Sequence, residues 1–306
     1  MVERSVRYHD DNIEVTSELY DSHIASKASW FGDVPPFSCL EIDILGICNR
    51  DCFFCPKSDR TKFPNLKEYL ELEFYTDILV DLQTHNYDGR ISFCGLSEPF
   101  IHKQLNELVA LTKEYLPDCF LDIITNGDFL KVEQVTELYA LGLNKINVSM
   151  YDGPEQVEGF EKIRAECGLT PSQFTIRERY LSADQDFGMT INNRGGSVNL
   201  PEYGIVPLDN SLVRSCYYPF HKVVIDYRGD VMVCPSDWEK SFLVGNLKES
   251  SIFDIWKSER FDQLRHDLIR RNRCRKPCTN CNVKGDLYAK HHFDAWVEYY
   301  KGAETA

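Results

Sequence analysis

No stretch of this sequence approaches the roughly 18 consecutive apolar residues that a membrane-spanning helix needs. The opening run MVERSVRYHDDNIEV lacks the apolar core of a secretory signal, so a cytoplasmic protein without a membrane partner is expected. Positive charge is also scarce. Lys and Arg number 34 against 48 Asp and Glu, a formal net charge of −14. That balance argues against nucleic acid as a main partner, because phosphate binding rests on clustered cations. The one basic cluster, RHDLIRRNRCRKPC (265–278), reads as a solvated helix end. Internal repeats and low-complexity tracts are missing too. What remains is a 306-residue chain, 43% hydrophobic, with ample material for a buried core.

Cysteine, by contrast, is abundant. Disulfides are the weaker explanation for 12 of them in a reducing compartment, which leaves metal-binding or catalytic thiols. Their distribution is uneven. Cys48, Cys52 and Cys55 stand together near the front, Cys216 and Cys234 follow later, and Cys274, Cys278 and Cys281 close the series. The scattered Cys39, Cys94, Cys119 and Cys167 read as core residues, since a free thiol behaves as a small hydrophobe.

The β-type runs SCLEIDIL (38–45), RISFCGL (90–96), CFLDIIT (119–125) and KINVSM (145–150) alternate with helical stretches at 68–85, 103–116 and 132–142. This alternation predicts an α/β fold with βα units around a parallel sheet or barrel. After about residue 200 the rhythm changes. HKVVIDYRGDVMVCPS (221–236) predicts a hairpin around an Arg-Gly-Asp turn, and an amphipathic stretch (251–271) leads into the last cysteines. Three regions follow: an N-terminal extension (1–36), a βα domain (37–205) and a smaller thiol-centred domain (206–306).

Cys48-x3-Cys52-x2-Cys55 offers three thiolates just after the first predicted strand. Three ligands in one loop suit a [4Fe–4S] cluster with one open iron, whereas structural zinc usually closes with four. With Phe54 directly before the last cysteine, CNRDCFFC resembles the signature of the radical S-adenosylmethionine (SAM) enzymes. The resemblance implies that the open iron chelates SAM and that Phe54 lies near the adenine. GLSEP (95–99) looks like the family's Gly-Gly-Glu-Pro segment, with Gly95 and Glu98 at the SAM amino group and Ser97 in place of the second glycine. Asn126 in TNGD and Ser149 in VSM fall where the family contacts the ribose and methionine. All lie at strand C-terminal ends, where a βα barrel carries its chemistry.

CRKPCTNC (274–281) repeats the cysteine spacing without the aromatic. With Cys216 and Cys234 it resembles a twitch domain, the shortened SPASM type that holds an auxiliary [4Fe–4S] cluster. A closed cluster needs four ligands, and Cys216, Cys234, Cys278 and Cys281 are the expected set, leaving Cys274 spare; zinc remains the alternative metal. The fold expected from the resemblance is a partial (β/α) radical SAM barrel followed by this auxiliary domain.

Within the family, GRISFCGLSEPF (89–100), TKEYLPDCFLDIITNGDFL (112–130), NNRGG (192–196) and the spacing of the later cysteines resemble members that oxidise a ring alcohol to a ketone. The implied reaction takes a hydrogen atom from the carbinol carbon with a 5′-deoxyadenosyl radical and passes the second electron to the auxiliary cluster. Arg194 matches an arginine at the reacting hydroxyl; its pKa makes it a poor base, so it would stabilise the oxyanion. The expected substrate is an aminocyclitol, aminoglycoside intermediate or sugar, and the expected electron donor a flavodoxin or ferredoxin. Two features could change the outcome. Cys94 replaces a histidine and could return a hydrogen atom, making the enzyme an epimerase. The long segment 152–188 could reshape the pocket. A peptide maturase is the second alternative, ranked after the dehydrogenase and the epimerase.

Overall fold

The computed structural model describes residues 34–189 and 191–305. Of the expected N-terminal extension, all but 34–36 therefore lies outside the described residues.

Eight strands form one sheet in the order β5-β4-β3-β2-β1-β6-β7-β8. The first five, β1 (Cys39–Ile42), β2 (Arg90–Phe93), β3 (Phe120–Thr125), β4 (Lys145–Met150) and β5 (Phe174–Glu178), run parallel. Between them lie α1 (Leu72–Thr84), α2 (Leu105–Tyr115), α3 (Val132–Ala140) and α4 (Glu155–Glu166). Helix α1 buries Tyr75, Ile78, Leu79 and Leu82, and α2 buries Leu105, Leu108, Val109 and Thr112. Both sets have the i, i+3, i+4, i+7 spacing that puts one stripe against the sheet. Leu40, Ile42, Ile91, Phe93, Leu121, Ile123, Ile146 and Val148 belong to the same core.

Because side chains alternate across a strand, the intervening residues face the other way. That face is polar. Glu41 pairs with Lys222 at 2.5 Å, and Arg90 grips Asp122 with two bonds of 2.7 and 2.8 Å. Asn147 adds a third bond to Asp122 at 3.1 Å.

The 152–188 segment contains α4 and β5, a further βα unit, and ends in a 3-10 turn, Ala183–Gly188. Beyond it, α5 (Tyr218–His221) leads into β6 (Lys222–Ile225), which pairs parallel to β1. The expected hairpin then forms from β6 and β7 (Asp230–Met232), with Gly229 at φ +89° donating to the Asp226 carbonyl. Strand β8 (Leu243–Asn246) completes the sheet. Of the later cysteines, Cys234 thus follows directly on a strand of the same sheet.

The amphipathic stretch forms α6 (Ile252–Trp256) and α7 (Glu259–Ile269), separated where Ser258 caps the second helix by accepting from the Phe261 N–H. A final helix, α8 (Lys290–Thr305), packs beside them. The basic cluster differs from its reading as solvated charge. Arg265 is fully buried between the rings of Trp256 and Trp296, 4.0 and 3.7 Å from their centroids, and Arg273 is also buried. Aromatic faces and backbone carbonyls take the place of water around these two cations.

Candidate active site

The loop after β1 carries the first cysteine set. Its path is fixed by side chains donating to backbone. Buried Lys57 donates to the Gly46 carbonyl at 2.9 Å, and Arg60 donates to the carbonyls of Cys48 and Arg50 at 3.1 and 2.8 Å. Asn65 accepts from the Cys48 N–H and donates to the Cys48 carbonyl. Arg50, inside the motif, forks onto Asp128 after β3 and Asp152 after β4, so three strand ends are tied together. Phe54 is buried, with Phe53 and Tyr151 rings 5.2 and 5.5 Å away, in a cleft shared with Arg50, Asp152 and Arg179.

At the end of β2, Gly95 adopts φ +109°, and a Cβ there would lie 2.7 Å from Asp43 Oδ1. Glycine is required on both counts. Buried Asp43 accepts from the Leu96 N–H, while the Ser97 hydroxyl reaches it only at 3.5 Å. Glu98 is 2% exposed and accepts from the Thr125 hydroxyl (2.6 Å), the Asn126 N–H (2.8 Å) and the Phe100 N–H (3.1 Å). Burial nevertheless outweighs these bonds and pushes its carboxyl up to about 7. Asn126 in turn donates to Asn49 at 2.8 Å, within the cysteine loop. Ser149, at the end of β4, is buried and bonded to Tyr151, with Arg177 of β5 opposite it in register.

Cys94 lies 7% exposed, in a closed crevice with Glu41, Asp43, Cys234 and Asp237. Burial drives its thiol well above the ordinary range. It is therefore packed inside the polar face rather than presented at an opening.

The second cysteine set converges from three segments. Cys216, Cys234 and Cys281 are buried and Cys278 is half-buried, and these four thiols bear electrostatically on one another. Cys274 stands apart, exposed, with its thiol on Asp267. Between the two sets runs NNRGG. Buried Asn193 donates to the carbonyls of Val206 (2.9 Å) and Asn280 (2.6 Å) and exchanges bonds with the backbone and side chain of Asn282. Arg194 has φ +46°, which is uncommon for a residue with a side chain.

The donor chemistry fits iron–sulfur clusters. All seven thiols are free, and burial raises each of them, opposed at Cys48, Cys55, Cys216 and Cys281 by the backbone N–H two residues further on, which at Cys281 is a 3.4 Å bond from Val283. Such bonds favour the thiolate that a metal requires. Among the described residues no three His, Cys, Asp or Glu side chains converge tightly enough for one metal ion. The thiols of each set do bear on one another electrostatically.

Several residues of this arrangement carry no sequence signal that was read for them: Lys57, Asn65, Arg50, Thr125 and Asn193. Their roles are hydrogen bonds to partners up to 102 residues away, as for Arg50 and Asp152. Arg50, Thr125 and Asn193 lay in motifs already singled out, and Lys57 and Asn65 did not.

Comparison with known proteins agrees with this geometry. The radical SAM superfamily model matches residues 42–173, and the SPASM iron–sulfur cluster-binding domain model matches residues 216–282. The chain belongs to the radical SAM superfamily: it is a radical SAM enzyme whose cofactors are SAM, the [4Fe–4S] cluster of that domain and an auxiliary cluster. The S-adenosyl-L-methionine-dependent 2-deoxy-scyllo-inosamine dehydrogenase of Niallia circulans is 30% identical over 249 residues, 80% of this chain and 93% of the relative. The crystal structure of BtrN in complex with AdoMet and 2-DOIA superposes with a TM-score of 0.68 at 27% identity, covering 82% of this chain and 94% of that one. The tungsten-containing aldehyde ferredoxin oxidoreductase cofactor-modifying protein of Pyrococcus furiosus is 23% identical over 336 residues, covering 84% of this chain and 91% of the relative. Among the described residues no helix is long and apolar enough to cross a membrane.

Proposed function

We propose that this enzyme is a radical SAM dehydrogenase that oxidises a secondary alcohol of a polar cyclic substrate, an aminocyclitol, aminoglycoside intermediate or sugar, to a ketone. The observation that carries this reading is the pair of separate cysteine sets joined by the Arg194 turn, in a chain similar along most of its length to the inosamine dehydrogenase. When bound, SAM and the two clusters supply a 5′-deoxyadenosyl radical and an acceptor for the second electron.

In this reading Cys48, Cys52 and Cys55 hold the SAM-binding cluster, and Cys216, Cys234, Cys278 and Cys281 hold the auxiliary one. Phe54 packs beside the adenine. The Gly95–Glu98 turn receives the SAM amino group, with Glu98 as its charged partner, and Asn126 and Ser149 orient the ribose and methionine. Arg194, on the turn between the two sets, holds the reacting hydroxyl and stabilises its oxygen as the proton leaves. A guanidinium cannot itself serve as base, so that proton passes to solvent or to the substrate's own polar groups. Residues 37–205 form the radical SAM barrel and 206–306 the auxiliary domain. The enzyme works in the cytoplasm with a flavodoxin or ferredoxin as electron donor.

The test is turnover of the reconstituted enzyme with SAM, a reductant and a panel of aminocyclitols and sugars deuterated at each carbinol carbon. One 5′-deoxyadenosine per ketone, with deuterium transferred into it, is expected. Solvent hydrogen returned to the same carbon without ketone would replace this reading with the epimerase, for which Cys94 would be the donor.

A further inference from the structure

Arg273 immediately precedes the last cysteine group, yet it is only 2% exposed. Its guanidinium donates to four backbone carbonyls: Arg214 at 3.0 Å, Ser215 at 3.0 Å, Val283 at 2.7 Å and Lys284 at 2.7 Å. The first two lie just before Cys216 and the last two just after Cys281. The planar fork therefore clasps the two chain segments that bring these thiols together.

All four partners are neutral. Among the described residues no carboxylate pairs with Arg273, so its full positive charge stays uncompensated inside the auxiliary site. Two acids bear on the same thiols. Asp286, which acts on Cys216, is already paired with Arg214. Asp237, which acts on Cys234 and Cys278, accepts from Ser241 and the Phe242 N–H. The Arg273 charge favours the ionised forms of Cys216, Cys278 and Cys281, three of the four thiols.

We propose that Arg273 tunes the reduction potential of the auxiliary cluster, holding it high enough to accept the substrate's second electron. This rests on the assignment of Cys216, Cys234, Cys278 and Cys281 to a cluster. A reduced cluster carries one more negative charge than the oxidised one. A fixed cation in a poorly solvated site favours the reduced form, and net charge and hydrogen bonding are the levers that set cluster potentials.

The decisive experiment is an EPR-monitored redox titration of the full-length protein carrying Cys48→Ala/Cys52→Ala/Cys55→Ala, which leaves the auxiliary site alone to report. Arg273→Gln is expected to lower the reduced-to-oxidised ratio at a given poise at least tenfold, which is about 59 mV or more for one electron. Arg273→Lys keeps the charge while losing most of the hydrogen bonds, and its ratio should stay within about twofold of the parent. An unshifted Arg273→Gln overturns the proposal, and so does an Arg273→Lys shift as large as that expected for Arg273→Gln. The second criterion decides alone if Arg273→Gln fails to retain iron. An iron count near zero in the parent variant would instead remove the auxiliary cluster, and the functional reading with it.

Discussion

Arg194 and Gly195 are neighbours in the chain, but they face different cysteine sets. Burial raises both thiols, and against it the Arg194 charge favours the Cys55 thiolate while the Gly195 N–H favours that of Cys281. A single turn therefore touches both prospective cluster sites. A substrate held there would have the hydrogen-abstracting side and the electron-accepting side at opposite ends of a few residues of backbone.

Arg194→Lys should lower turnover by up to about 100-fold, because the ammonium keeps the charge but loses the planar fork that aims it at the developing oxyanion. SAM cleavage without substrate should continue, because the arginine is not assigned to SAM. Gly195→Ala should act differently. At φ +65° its Cβ would lie 2.6 Å from the Ser236 carbonyl oxygen and 2.8 Å from Pro277 Cβ. Left-handed backbone alone costs about 1–2 kcal/mol for a residue with a side chain. Thermal unfolding of the apo-protein should show the loss for Gly195→Ala and not for Arg194→Lys.

Glu98 makes a pH-dependent prediction. Its carboxyl sits at about 7 because burial outweighs three hydrogen bonds, so near neutral pH it is partly protonated until a cation arrives. Since the folded value is raised, its contribution to stability is fully present below about 4.5 and is lost as the pH rises through 7. With Glu98 as the proposed partner of SAM's ammonium, binding needs the carboxylate, so its sign is opposite. The SAM dissociation constant should rise about tenfold for each pH unit below 7, with proton uptake by the protein on release. Titration calorimetry in buffers of different ionisation enthalpy measures both, and Glu98→Gln should bind weakly with a flat pH profile.

The strands β1 to β4 were legible because their apolar runs are bounded by turns and alternate with amphipathic helices. Helix α4 and strand β5 were not. The helix EQVEGFEKIRAE buries only Phe160, so it carries no apolar stripe, and β5 is a five-residue edge strand with mostly half-buried residues. The cysteine sets were legible as spacing, but spacing alone could not say which four of the five later cysteines form the second set; Cys274 is exposed where Cys216, Cys234 and Cys281 are buried. What could not be read was context. Arg265 and Arg273 look like surface charge in sequence, because composition does not show which carbonyls and rings surround a guanidinium. The pairing of β6 with β1 was hidden for a similar reason: strand partners 183 positions apart, such as Cys39 and Lys222, leave no local pattern.

Asn193 should matter to cluster retention without touching the chemistry. Its amide satisfies the Val206 and Asn280 carbonyls and closes a reciprocal pair with Asn282, one residue beyond Cys281. Asn193→Ala leaves those buried groups unpaired, on the order of 1–3 kcal/mol for each that water cannot reach. Auxiliary iron should then be lost several times faster to a chelator, measured by the decay of the iron–sulfur absorbance, while iron held by the first set keeps the wild-type rate. Equal rates in both sets would show that the clasp is incidental.

The cysteine assignment itself can be counted. After anaerobic reconstitution the wild type should hold about eight irons and eight sulfides, two [4Fe–4S] clusters. Cys48→Ala/Cys52→Ala/Cys55→Ala should fall to about four and lose SAM binding. Cys234→Ala should also lose iron while retaining SAM binding, because the thiols that bear on that buried sulfur are Cys216, Cys278 and Cys281. Cys274→Ser is the control. Its thiol is exposed and turned to Asp267, so iron content should not change. If Cys274→Ser instead removed iron and Cys234→Ala did not, the second cluster would be held by the Cys-x3-Cys-x2-Cys repeat with Cys216. The electron acceptor would then lie farther from the crevice that Cys234 shares with Cys94 and Asp43.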